Sequence, residues 1–257
     1  IFKKFTLKEK NLFLNLADNK LQKRFKGNTE DLPYVTTSSF NSKDSSIKIF
    51  PKTKNKKRIL ILPHDFVDAP HIAGDFVFAD MYEWIKYLAE QSNKLKNYEW
   101  YLKTHPKMDD KYEWYQNFTR KNINLLIKNS RIKLLPPNTP HNQIINSGID
   151  AMLTVFGTTG HEYAYKRIPV INASKLNPHA AYRFNIHTNK IQEYSKFLEN
   201  IKNLKINIKK KEVLEFYYMH FIFQSSDWFF EDYKKMLNKL GNYHDQWTPK
   251  IYINWIN

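Results

Sequence analysis

Between His64 and Asp75 the chain packs two histidines and three aspartates into twelve residues, HDFVDAPHIAGD. Imidazole and carboxylate together suit a zinc, manganese or iron ion. A carboxylate such as Asp65 or Asp68 can equally act as a general base or nucleophile, with His64 and His71 beside it. The plainer reading is a loop of Asx turns with solvated side chains. A second group, Lys103-Thr104-His105-Pro106, brings a cation and an imidazole held by the following proline. Such a histidine can donate to a phosphate oxygen or serve as a general acid, and Lys103 adds positive charge if it faces the same way. The third group is Gly157-Thr158-Thr159-Gly160, followed by Glu162. Glycine lets the backbone approach a ligand, and two threonines at a helix start favour an anion, or merely cap the helix. Glu162, one turn further on, can accept hydrogen bonds from ribose hydroxyls or simply complement the helix dipole. No Walker A ending and no Gly-x-Gly-x-x-Gly fingerprint follows the first strand, which removes most support for an ATPase or an NAD enzyme.

Elements of alternating type must carry these groups. Short β-rich runs are expected at 58–63, 99–104, 131–135, 151–156 and 168–172. Helices are expected between them, near 78–92, 111–128 and 139–147. The first has apolar residues at Met81, Trp84, Ile85 and Leu88, one buried stripe. The second carries Tyr112, Tyr115, Phe118 and Ile123. Strands that alternate with helices predict an α/β fold with a doubly wound parallel sheet. Each chemical group then falls at a strand's C-terminal end, where open α/β sheets bind ligands. A helix is expected around 7–25, another over 191–204 and a long aromatic one over 211–240. The chain divides into a lead-in or end of a preceding domain (1–57), a Rossmann-like domain (58–190) and a helical C-terminal extension (191–257).

Composition narrows the function classes. The 257 residues are 42% hydrophobic and 16% aromatic, enough to bury a large core, so disorder is excluded. No run reaches the roughly 18 uncharged apolar residues of a membrane span; Phe216 to Phe223 is broken by His220. The absence of cysteine removes disulfides, thiolate metal sites and cysteine nucleophiles. The net charge of +16 would ordinarily point to a polyanion partner. Only six of the 41 basic residues are arginine, however, and arginine is what forks onto phosphates and base edges. Most of the charge therefore reads as a solvated lysine face, with no specific nucleic acid partner and some attraction to a membrane surface.

The order of HDFVDAPH, then KTHP, then FGTTGHEYAYKRIPVIN resembles the C-terminal, donor-binding half of GT-B-fold glycosyltransferases over about residues 58 to 190. It looks in particular like bacterial surface-polysaccharide enzymes that use CMP-activated Kdo or sialic acid. The resemblance implies a Rossmann-like donor domain in which His105 and Pro106 match the His-Pro motif and Thr158 and Thr159 the phosphate-binding turn. Gly157 belongs to that turn, and Glu162 matches the ribose-binding acid. It implies a CMP-sugar donor, a glycan or glycolipid acceptor, no cofactor and no metal, and a cytoplasmic location, peripheral at the inner face of the membrane. One such domain is legible, so an acceptor domain is expected upstream of Ile1, on another chain, or not at all. Two other readings remain. A metal-dependent hydrolase would use His64, Asp65, Asp68 and His71 with His179 or His187, and a non-enzymatic module would bind polyanions through its lysines.

Overall fold

The computed structural model describes residues 1–28, 38–40, 48–51, 56–67, 76–106, 113–204, 206–223, 235 and 239. The chain forms two compact units, one of residues 1–38 with 215–257 and one of residues 39–214.

In the first unit, α1 (Leu7–Phe25) covers the expected helix. It opens with a capping box: Thr6 Oγ1 accepts from Glu9 N at 3.3 Å, and Thr6 N donates to the Glu9 carboxylate at 2.7 Å. It closes at Gly27, whose φ of 102° is open to glycine and strained for other residues. Phe13 stacks on Tyr218 at 4.3 Å between ring centroids.

The second unit contains the sheet. Among the described residues, six parallel strands stand in the order β3-β2-β1-β4-β5-β6. They are β1 (Lys57–Ile61), β2 (Tyr98–Leu102), β3 (Ile132–Leu134), β4 (Ala151–Thr154), β5 (Val170–Asn172) and β6 (Ile186–His187). This is the doubly wound order of a Rossmann-like sheet, with the direction of winding reversing between β1 and β4. The central strands β1, β2, β4 and β5 are buried on both faces along most of their length, which is why they read as nearly continuous apolar runs. One face packs Ile59, Ile61, Trp100 and Leu153 against α2 (Met81–Lys94), α3 (Glu113–Ile127) and α6 (Ile191–Glu199). The other packs Leu60, Leu62, Tyr101 and Met152 against α4 (His141–Asn146) and α5 (Thr159–Tyr165). Trp84 Nε1 donates to Tyr194 OH at 3.0 Å, joining α2 to α6 inside the first of these cores. α2 starts at the first residue of its apolar stripe, Met81, and not near 78, because Asp80 caps it, accepting from Glu83 N at 2.8 Å.

Three expectations are corrected. The five expected strands are joined by a sixth, β6, inside a stretch that reads as loop. Two residues are too few to show a period of two, and only pairing with β5 reveals them. Of the residues that α3 carries, Ile123 is buried and Phe118 is 50% exposed; the sheet side of that helix is Gln116, Thr119, Ile123 and Ile127. Thr119 and Gln116 face inward because each meets a loop group, Thr119 Oγ1 accepting from Phe66 N and Gln116 Nε2 donating to Pro106 O. Tyr112 and the side chain of Tyr115 lie outside the described residues. Among the described residues up to Phe223, the long aromatic helix is α-helical over α7 (Lys210–Tyr217). A π turn follows at Tyr218–Ile222, with Phe223 N bonded to Tyr218 O at 2.7 Å. Crowded rings accompany that widening: His220 stacks on Phe216, and Phe221 packs on Tyr217. Residues 224–234 lie outside the described residues. The helix expected over 191–204 ends at Glu199, with a 3-10 turn at Ile201–Asn203.

Candidate functional site

The apolar strands β1, β2 and β4 end together at the switch point. His64 follows β1, Lys103 to Pro106 follow β2, and Gly157 follows β4. The His64 ring stacks on Phe156 at 4.3 Å and lies 6.3 Å from the ring of His105. A Cβ added at Gly157 would stand 3.2 Å from His64 Nε2 and 3.3 Å from Thr159 Oγ1. The glycine is thus what lets the β4 loop close over the imidazole. Burial, and secondarily the charge of His105, push the His64 imidazole down to about 3. At neutral pH His64 is an uncharged ring with one donor and one acceptor nitrogen.

The residues after β2 divide. Lys103 is 2% exposed, and its ammonium donates at 3.4 Å to the carbonyl of Thr104. Burial brings this amine down to about 8. His105 is exposed and Pro106 partly so. Lys103 and His105 thus differ in depth, although alternation assigns them one face.

On α5 the Thr158 side chain makes no capping bond, and the turn closes through Gly160 N bonded to Gly157 O at 2.9 Å. Gly160 has a separate task. A Cβ there would come within 2.6 Å of His179 Cε1, so α5 rests directly on the loop between β5 and β6. Glu162 is 2% exposed, on the same short helix as Tyr163, whose hydroxyl meets His141 Nδ1 at 2.8 Å. Burial, and then the carboxylate of Glu162, push the Tyr163 phenol well above its usual range.

Asp65 is buried beside His64. Asp68 and His71 lie outside the described residues. Among the described residues no three His, Cys, Asp or Glu side chains converge on a point where a metal ion would be held. His179 and His187 are tied elsewhere: His179 packs on His161, and His187 Nδ1 meets Asn177 Nδ2 at 2.9 Å.

Sequence reasoning missed Thr154 and Asn172, which are paired across β4 and β5 and fully buried. Thr154 Oγ1 and Asn172 Oδ1 have no hydrogen-bond partner. The available signal was a polar residue closing an otherwise apolar strand, in AMLT and again in VIN. A concavity of about 460 Å³ runs along α1, lined by residues including Leu16, Lys20, Lys23 and Lys26, and one of about 360 Å³ lies beside α6. Neither is lined by a histidine, as the sheet edge is. No helix among the described residues is long and apolar enough to cross a membrane.

No known protein family and no curated protein matches the chain. Among solved structures it is similar to the UDP-GlcNAc 2-epimerase of Neisseria meningitidis bound to UDP-GlcNAc, at 14% identity and a TM-score of 0.43. That similarity covers 79% of this chain and 50% of the epimerase chain. It is also similar to the wall teichoic acid polymerase TagF, at 12% identity and a TM-score of 0.34, over 90% of this chain and 49% of that one. The chain therefore spans about half the length of each. Its place among Rossmann-like α/β proteins rests on its own strand order.

Proposed function

We propose that the chain is the donor-binding part of a GT-B-type glycosyltransferase, holding a nucleotide-activated sugar across the C-terminal edge of its sheet. The observation that supports this reading is the meeting of His64, His105 and Gly157 at the switch point between β1 and β4. There a phosphate meets imidazole donors and a backbone stripped of side chain. In the finer form of the proposal the donor is a CMP-activated acidic sugar such as Kdo or sialic acid, and the acceptor is a surface glycan. His105, with the Thr158 and Thr159 turn, receives the phosphate, and Glu162 takes the ribose hydroxyls. The acceptor oxygen bonds to the anomeric carbon as the bond from that carbon to the phosphate oxygen breaks, its electron pair leaving on CMP. Donors aimed at that oxygen stabilise the charge as it builds. The acceptor's proton passes to a carboxylate, Asp65 or Asp68.

Thermal unfolding in the presence of CMP, UDP and ADP tests this, because a ligand that binds only the native state raises the melting point. CMP is expected to give the largest rise. His105→Ala removes one charge-assisted hydrogen bond, about 1.5 to 3 kcal/mol, and should weaken CMP binding by about 10- to 150-fold. Absence of a shift with all three nucleotides would overturn the reading.

A further inference from the structure

The ladder runs one residue beyond the strands. Lys103 N donates to Ile61 O at 3.1 Å, Leu135 N to Leu102 O at 2.8 Å, and Leu62 N to Leu153 O at 2.9 Å. Leu135, Lys103, Leu62, Thr154, Asn172 and His187 therefore form the last row of the sheet, in that order across it. Leu135 and Leu62 belong to the core beneath α4 and α5, and alternation from Tyr101 and Met152 puts Lys103 and Thr154 on that same side.

Lys103 stands out in this row. Its ammonium can donate three hydrogen bonds and makes one, a long one to its own neighbour's carbonyl. No carboxylate among the described residues pairs with it, and no other charge moves its ionisation. Buried cations are ordinarily paired, because an uncompensated charge away from water is costly. The polar group one place beyond Leu62, Thr154 Oγ1, is buried without a partner as well. His64, neutral at the same edge, supplies hydrogen bonds but no charge.

We infer that Lys103 is the cation that receives the donor's phosphate, so that ligand and proton occupy the site together and affinity falls at alkaline pH. The identity of the ligand rests on the function proposed above; the need for an anion rests on Lys103 itself. With its amine brought down to about 8 by burial, the free protein holds Lys103 protonated at pH 7 and largely neutral at pH 9. A ligand that requires the ammonium then loses about tenfold in affinity per pH unit above 8. Other groups at this edge leave that window clear. His64 is neutral throughout, and burial raises the Tyr101 phenol above its usual value. A phosphomonoester completes its ionisation at about 6, below the window.

The experiment measures the affinity of CMP and of inorganic phosphate by calorimetry from pH 7.5 to 10 at fixed ionic strength. It compares the wild type with Lys103→Met and Lys103→Arg. The wild type is expected to weaken with the slope above. Lys103→Met should bind weakly with a flat profile, and Lys103→Arg should retain binding with a flat profile, since a guanidinium stays protonated throughout. A flat wild-type profile, or wild-type affinity in Lys103→Met, overturns the inference while CMP binding itself keeps the nucleotide reading. Phosphate binding that shows the slope, without CMP binding, supports the Lys103 assignment and removes the nucleotide reading. If neither ligand binds, both fall.

Discussion

Lys103 works against the fold that holds it. Its amine ionises near 8 in the native state and 10.5 is its ordinary value. Between those values the unfolded chain binds more protons than the folded one, so stability rises with pH across that interval. The cost of keeping the ammonium buried is complete below pH 8, shrinks as pH rises from there, and is gone above about 10.5. A shift of that size corresponds to about 3 kcal/mol. Lys103→Met, which keeps the length and loses the charge, should therefore stabilise the ligand-free protein at pH 7 by up to about 3 kcal/mol. The gain should be much smaller at pH 10. Urea denaturation at the two pH values checks this, and an equal effect at both would mean that the ammonium is not what burial penalises. Stability gained where binding is lost is the usual mark of a residue kept for a ligand.

At the scale of elements, the edge is built by α5 and the loop that follows β5. α5 can lie close to that loop because position 160 has no side chain. His179 is itself fixed there, its N–H bonded to Asn177 Oδ1 at 2.9 Å and its ring 5.6 Å from Phe184. The loop is held in place from its other side as well, since Asn177 also reaches His187 on β6. Gly160→Ala should therefore destabilise the protein by about 1 to 3 kcal/mol through overpacking, despite alanine's higher helix propensity. Denaturant midpoints measure it; a stabilised variant would show that His179 gives way and that the contact does not set the position of α5. The opposite end of the sheet is tied by Arg58. Its Nε donates to Glu99 at 3.0 Å and its Nη1 to Ser147 O at 3.3 Å, joining β1, β2 and the end of α4.

At the scale of the whole molecule, every described residue assigned to the site belongs to the unit of residues 39–214, which has its own sheet and cores on both of its faces. A unit with its own core is expected to fold alone. The fragment 39–214 should therefore bind CMP with the affinity and pH profile of the full chain. Calorimetry on both proteins is the check, and a folded fragment with no CMP binding would show that residues outside it complete the site.

The α/β class and the placing of His64, KTHP and GTTG at strand ends were legible in the sequence, because buried parallel strands are apolar almost throughout. A polar residue that ends such a run marks the sheet edge directly. The helix expected around 7–25 likewise stands as α1, whose Thr6 and Glu9 close a purely local set of bonds. Register and depth were not legible. Lys103 and His105 carry the same alternation in the sequence, yet one is buried and the other exposed. The difference arises because Lys103 is still laddered to β1 by its bond to Ile61, whereas His105 lies beyond the ladder. β6 and the row from Lys103 through Thr154 to Asn172 likewise exist only once strands distant in sequence pair side by side. Local spacing dictates which residues reach the edge; pairing across the sheet decides which of them lose their water, and with it the charge chemistry open to each.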